Sequence, residues 1–536
     1  MKKITLLTLA GFVVLLVSTC ESKIELQGVS SGGDGDTDGD NDSDSDGDSD
    51  SDSDGDSDGD ASEEDTDTCD VSDDNLNGIA IEVKDKELPD TFEPVIQWSW
   101  KEGDASMMTP LVANLTDDNG DGKIDLCDTP DVVVVTIQDS YQFYNGYICV
   151  LDGATGKLHF RIKTLVNHSI TPAIGDIDND GLVEIVTFSV KSRNLIAFEN
   201  TGEIKWTSDF IFNPYGDAVA LADLDNDGDV EILLGNAVFD HTGKLLWRAP
   251  EDAGPWSATT AADLDGDGDL EVILGGAAYH HDGSEYYNLP KNEKDEPFYF
   301  HGYPQVADLV GDKKPEILLT TGNGITLLSN TGEIIYSNKR PTNLSKGKIN
   351  WTRAAAIHDF DGDGKAEFAL CSSDQQNSQY TVYEADASII WSTKVQDFSG
   401  IATGTAFDFI GSGKAQAMYG DENNMFIFDG AGKVLLKSPR SSGTMSEYPV
   451  VADVDNDGHA EIIITSKSGV QVIRDKKDRW VGARRIWNQH TYHVTNVRED
   501  GTIPQFEPPN WEFLNTFRTQ AQISSIGEIE KPIAVE

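Results

Sequence analysis

Asp223-Leu-Asp225-Asn-Asp227-Gly228-Asp-Val-Glu231 sets acidic side chains at positions 1, 3, 5 and 9 of a nine-residue stretch, with a glycine at position 6. Oxygens at that spacing, together with the carbonyl of position 7, can wrap one hard divalent cation, and the glycine permits the tight turn. An EF-hand loop shares the 1, 3, 5 start but carries its last acid at position 12, between two helices. Here the last acid comes at position 9 and the flanks are β-branched and apolar, so the stretch reads as a loop inside a hairpin. Carboxylates this crowded repel one another unless a divalent ion neutralises them.

The stretch recurs. Asp176, Asp178, Asp180 and Glu184 form a second copy, and Asp263, Asp265, Asp267 and Glu271 a third. Asp359, Asp361, Asp363 and Glu367 form a fourth, and Asp453, Asp455, Asp457 and Glu461 a fifth. A longer variant supplies Asp117, Asn119, Asp121 and Asp125. Two copies are degraded: Asp308-Leu-Val310-Gly-Asp312-Lys-Lys-Pro-Glu316 and Asp408-Phe-Ile410-Gly-Ser412-Gly413-Lys-Ala-Gln416. Val310 and Ile410 have no side-chain oxygen, so these two loops are expected to hold no metal. A single copy is readable as a polar hairpin turn; five near-identical copies point to calcium, Ca2+, as the shared ligand.

Successive copies lie about 40 to 60 residues apart, the length of a propeller blade. Each follows a short run such as Tyr448-Pro-Val-Val-Ala452 and precedes a β-rich run such as Glu461-Ile-Ile-Ile-Thr465. About fifteen residues on comes a turn and strand, as in Thr201-Gly-Glu-Ile-Lys-Trp206 and Thr242-Gly-Lys-Leu-Leu-Trp247. No helical period appears. The reading is all-β: a propeller of eight four-stranded blades, with seven the alternative if one degraded copy belongs elsewhere. Val95-Ile-Gln-Trp98-Ser-Trp100 looks like an outermost strand without its blade. It is expected to close the ring by joining the last blade, unless Arg485-Ile-Trp487 supplies that strand.

Acidic loops of this form within β-rich repeats resemble the FG-GAP or VCBS repeats of integrin α-subunit propellers and of many bacterial surface proteins. The resemblance runs from Phe92 to Trp487. It implies calcium in the loops between the first and second strands of each blade, on the lower face, and partners on the opposite face. Residues entering each innermost strand on that opposite face are His168, Tyr215, Trp256, His301, Trp351 and Tyr448. They are ligand-face candidates, able to stack on sugar rings or anchor a protein side chain; the competing reading is that they pack between blades.

Lys2 and Lys3 followed by the apolar run Ile4 to Val17 form a secretory signal over 1–19, and Val17-Ser18-Thr19-Cys20 resembles a bacterial lipobox with Cys20 as the lipidated residue. Residues 20–72 are rich in Asp, Ser and Gly, cannot bury a core, and are expected to form an extended, disordered tether. The propeller is placed at 92–487 and an aromatic, polar cap at 488–536, in which His490 and His493 lack the further ligands a zinc site needs. A net charge of −54 argues against nucleic acid and for cations. Cys127 and Cys149 flank one predicted strand pair and are the expected disulfide; the pairing of Cys69 and Cys371 stays open.

The sequence shows no G-x-S-x-G, H-E-x-x-H or P-loop. The expectation is an envelope-anchored, surface-exposed outer-membrane lipoprotein that binds a glycan or protein. Alternatives are a polysaccharide lyase, since some lyases use calcium propellers of this kind, and a structural or assembly protein of the envelope. Arg353, His168 and His301 are the basic residues such a lyase would use near the channel mouth.

Overall fold

The computed structural model describes residues 92–523 and 529–530, apart from 102–105, 107, 138–143, 192, 210–217, 251–256, 290–301, 345–352, 375 and 398–401. The predicted signal, Cys20, Cys69 and the tether lie outside the described residues. So do Tyr215, Trp256, His301 and Trp351.

Eight antiparallel sheets form the eight blades of a propeller, and the chain runs through the strands of each in order. In blade 3, for instance, Val219–Ala222 pairs with Glu231–Leu234, which pairs with Ala237–Phe239, which pairs with Leu245–Arg248. The first strands are Leu111–Ala113, Ala173–Gly175, Val219–Ala222, Thr260–Ala262, Gly302–Ala307, Ala356–His358, Gly404–Phe407 and Val450–Ala452, and all their residues are buried. First strands touch between blades 1 and 2, 2 and 3, 4 and 5, and 6 and 7, which places them on the inner side of the ring. The fourth strands, such as Ile204–Thr207 and Ile334–Lys339, alternate between exposed and half-buried residues and form the outer rim. No helix among the described residues is long and apolar enough to cross a membrane.

The ring closes through its own beginning. Pro94–Trp100 pairs antiparallel with Gly469–Asp475 and becomes the outer strand of blade 8, matching Ile96 to Ile473 and Trp98 to Val472. Trp98 then reaches into blade 1, where its indole N–H donates to Gly153 O at 2.6 Å. The same contact recurs round the rim. A Cβ added to Gly156 would lie 2.3 Å from the Trp98 ring, and one on Gly243 2.5 Å from the Trp206 ring. Both glycines have positive φ, +69° and +81°. Each outer aromatic thus lies flat on the turn of the next blade, and only glycine permits that approach. Trp247 on Gly283, Tyr287 on Gly332 and Trp391 on Gly432 repeat it.

The C-terminal segment does not sit as a lid over the propeller. It runs down the axis and pairs with the inner strands. Trp487 and Val112 exchange backbone hydrogen bonds of 2.9 and 3.0 Å in blade 1, and Ile174 N donates to Asn488 O at 2.8 Å in blade 2. Leu221 N donates to Gln489 Oε1 at 2.8 Å in blade 3. The returning chain pairs Asn515 with Asp308 in blade 5 and Phe517 with Ile357 in blade 6. Thr405 donates to Arg518 O in blade 7, and Gln520 donates to Val451 O in blade 8. Trp487 is accordingly no outer strand. The charges this segment buries are answered internally: Arg484 meets Glu499 at 2.9 Å and donates to Val494 O and Val497 O, both at 2.6 Å.

Two expectations fail here. Cys127 is disulfide-bonded, but not to Cys149, which is a free, buried thiol like Cys371. Cys149 stands mid-strand opposite Val134, inside the blade, whereas Cys127 lies exposed in the preceding loop, so the two do not face one another. His168 and Tyr448, expected to line an open mouth, are each 1 % exposed. His168 stacks on Tyr144, and Tyr448 is covered by the C-terminal segment, donating to His490 O at 2.5 Å.

Deleting residues 93–100 should leave Gly469–Asp475 as a bare edge, giving aggregation on size exclusion and loss of the cooperative melt. A monomeric deletion variant with an unchanged melt would contradict this closure.

Candidate metal centres in the inner hairpin loops

Each acidic stretch joins the first strand of a blade to the second. Outside blade 1 its position-9 residue begins that second strand, whereas in blade 1 the second strand begins at Asp131, whose Oδ2 accepts Leu115 N–H at 3.0 Å. Backbone amides hold the side chains. The position-1 carboxylate accepts the amide of the position-6 glycine: Asp176 from Gly181 at 2.9 Å, Asp223 from Gly228 at 2.9 Å, Asp359 from Gly364 at 2.8 Å, Asp453 from Gly458 at 2.9 Å. The position-5 carboxylate accepts the amide two residues on, as Asp227 does from Asp229 at 2.8 Å and Asp457 from His459 at 2.9 Å. The position-9 acid spends Oε2 on the position-2 amide: Glu184 on Ile177, Glu231 on Leu224, Glu271 on Leu264, Glu367 on Phe360 and Glu461 on Val454, at 2.8–3.1 Å.

That arrangement leaves Oε1 of each position-9 acid for something else, while the position-1 carboxylates of Asp176, Asp263, Asp359 and Asp453 accept amides on both oxygens. In blade 6, oxygens of Asp359, Asp361, Asp363 and Glu367 all lie within 4.8 Å of one another. Glu367 Oε1, Glu461 Oε1, Asp455 Oδ1 and Asp223 Oδ1 are buried with no hydrogen-bond partner. A buried anionic oxygen without a donor is costly, and a divalent cation removes the cost at several of them at once. Hard oxygen donors in this number suit calcium. Burial, in the absence of an ion, pushes Glu231 up to about 8 and Glu367 up to about 9, with neighbouring aspartates adding to the rise.

The longer loop of blade 1 differs from the sequence reading at one acid. Asp117 accepts the amides of Gly120 and Gly122, Asn119 that of Asp121, and Asp121 that of Lys123, as in the other copies. Asp125 does not return to the loop; its Oδ1 accepts Cys127 N–H at 2.9 Å. Asp128 returns instead, fully buried, accepting Asp118 N–H at 2.9 Å and Asn119 N–H at 3.2 Å. Counted from Asp117, this acid stands at position 12, the EF-hand spacing without the helices.

The degraded loops satisfy themselves. In blade 5 Asp308 accepts the amides of Gly311, Asp312 and Lys313, as the position-1 acids of intact loops accept theirs, but Val310, half-exposed, puts no oxygen at position 3. In blade 7, Ser412 donates to Asp408 at 3.1 Å and the Gln416 amide reaches it at 3.5 Å, so neutral donors stand where the other loops present bare carboxylates. His490 and His493 do not converge: His490 packs between Tyr303 and Tyr448, while His493 pairs with Glu507 at 2.6 Å. Of the three basic residues a lyase would use, Arg353 and His168 are both buried, and His301 lies outside the described residues.

Asp128→Asn should weaken calcium binding at blade 1 at least tenfold in a calorimetric titration, with Asp125→Asn close to wild type; the reverse order would refute the assignment. The raised carboxyls give a second expectation. A group whose folded value exceeds its unfolded one contributes stability below the unfolded value and loses it as pH rises through the folded one. With chelator present, the melting temperature should fall between about pH 4.5 and 9, and calcium should flatten the slope; equal slopes with and without calcium would contradict it.

No curated protein matches the sequence. Residues 176–234, spanning blade 2 and the start of blade 3, match the FG-GAP-like repeat family. Among solved structures, the V. cholerae biofilm matrix protein Bap1 is similar with a TM-score of 0.67 at 23% identity, over 82% of this chain and 100% of that one. The exotype rhamnogalacturonan lyase YesX gives 0.46 at 16% identity, over 74% and 75% of the two chains. The Bacillus licheniformis rhamnogalacturonan lyase PL11 gives 0.46 at 15%, over 82% and 81%. At these identities the likeness concerns fold, and the two lyase scores carry no weight beyond it. The chain is an eight-bladed β-propeller that carries the FG-GAP-like repeat.

Proposed function

We propose that the protein is an exported, calcium-stabilised binding module that holds a glycan or protein ligand at the cell envelope. The observation that carries this reading is the set of buried, partnerless carboxylate oxygens in the loops of blades 3, 6 and 8. They make cation occupancy a condition for a rigid ring, and a rigid ring presents the opposite face for binding. Calcium at extracellular concentrations matches loops of this ligand count. The sequence of 1–72, with its apolar leader, Cys20 and acidic tether, supports export and anchoring by a lipid. A fold shared with a biofilm matrix protein accords with a role outside the cell. A binding role is favoured over a lyase role because two of the three candidate basic residues, Arg353 and His168, are buried, which denies a substrate access to either side chain.

The test is a glycan array and a whole-cell binding assay, each with calcium and with chelator, run beside an absorbance assay for unsaturated products from rhamnogalacturonan. The expected outcome is calcium-dependent retention without unsaturated product. Product formation, or binding indifferent to chelation, would overturn the reading.

A further inference from the structure

In every blade the outer strand slips by one residue against its neighbour just before its aromatic or aliphatic anchor. In blade 2 Ile204 pairs with Phe198 and Trp206 with Ala197, which leaves Lys205 as the extra residue. In blade 3 Leu246 is the extra residue, in blade 6 Ile390, and in blade 8 Gln97. A bulge of this kind re-aims a side chain; in blades 1, 2 and 8 it reaches acidic groups, whereas Leu246 in blade 3 stays 45% exposed. Gln97 Nε2 donates to Asp455 Oδ2 at 2.6 Å in blade 8, and His159, the extra residue of blade 1, lies 3.5 Å from Asp118 and 3.6 Å from Asp131.

Lys205 is the cation in this series. Its Nζ lies 2.6 Å from Asp178 Oδ2, 3.1 Å from Glu184 Oε1 and 3.2 Å from Glu199 Oε2. The ammonium is mostly buried, and Glu184 is fully so. Glu184 Oε1 is the counterpart of Glu367 Oε1 in blade 6 and Glu461 Oε1 in blade 8, and those two have no partner. An ammonium group offers three donors and one positive charge, and here all three reach carboxylates.

We propose that Lys205 is a tethered counter-ion that takes the place of calcium in blade 2, and that the bulge residue of each outer strand decides whether its loop binds a metal. This rests on the reading of the other loops as calcium sites. Blade 2 then keeps its loop geometry without metal, although its acidic signature is as complete as that of blade 3. The ring has one blade whose inner loop stays neutralised when calcium is withdrawn.

The experiment counts calcium bound per chain, by elemental analysis after dialysis and by calorimetric titration, for wild type, Lys205→Met and Leu246→Lys. Lys205→Met should bind one ion more than wild type, and Leu246→Lys one fewer. An unchanged count in Lys205→Met with a normal melt in calcium would overturn the proposal. Should that variant fail to fold, an unchanged count in Leu246→Lys overturns it instead. Wild type binding no calcium would sink the calcium reading itself and this inference with it, whereas wild type binding calcium with both variants unchanged sinks only the inference.

Discussion

Acidic side chains packed into each nine-residue turn repel, and every other feature of the ring has to accommodate that repulsion. Backbone amides absorb part of it by fixing both oxygens of most position-1 acids and one oxygen of each position-9 acid, which gives the turn its shape and sets the register between first and second strands. What remains is a cluster of oxygens with no donor. Its resolution differs by blade: bare and suited to a divalent ion in blades 3, 6 and 8, answered by neutral donors in blade 7, answered by an ammonium in blade 2. The loops also touch. Asn179 Nδ2 donates to Gly228 O at 2.8 Å, Asn226 Nδ2 to Gly268 O at 2.7 Å, and Asn456 Nδ2 to Asp128 O at 3.3 Å. A loop that loses its charge balance therefore strains its neighbour as well as its own blade.

Two further devices keep eight weakly connected sheets in one ring. The aromatic-on-glycine contacts bind the rim, and the first strand of the propeller completes the last blade, so no sheet edge is left open there. The C-terminal segment binds the hub. Its hydrogen bonds go to inner strands far apart in sequence, and its buried arginines are held, Arg484 and Arg485 by Glu499 and Arg518 by the carbonyls of His490 and Ala355, so it acts as an axle more than a lid. A filled hub removes the axis as a ligand route and leaves the faces and rim.

Much of this was legible from residue spacing because the signals are local. The turn Asp223–Glu231, the strand after it and the rim tryptophan recur within one blade, so the propeller and a closing role for Trp98 could be read from the repeat, while seven against eight blades and Arg485-Ile-Trp487 as the closing strand stayed open until the strand pairing decided them. The plug was not legible, since Trp487, Gln489, Asn515 and Gln520 carry no repeat and each is explained by a different distant strand. Asp128 was missed for a related reason: Asp125 holds the position-9 spacing of the other copies, but the inserted residues turn it toward Cys127. The signal that would have found Asp128 was the acid at position 12. Lys205 escaped notice because a lysine before a tryptophan looks like any exposed strand residue until the bulge turns it inward. Cys149 shows the limit of spacing for disulfides: closeness in sequence says nothing about which face of a strand a thiol occupies.

The account stands on cations completing the loops that have bare oxygens. The most direct measurement is anomalous diffraction from crystals grown in calcium. Peaks should appear 2.3–2.6 Å from the carboxylates of Asp223, Asp359 and Asp453 and their loop partners. Well-ordered loops in the same conformation with no anomalous peak at any of the three would contradict it.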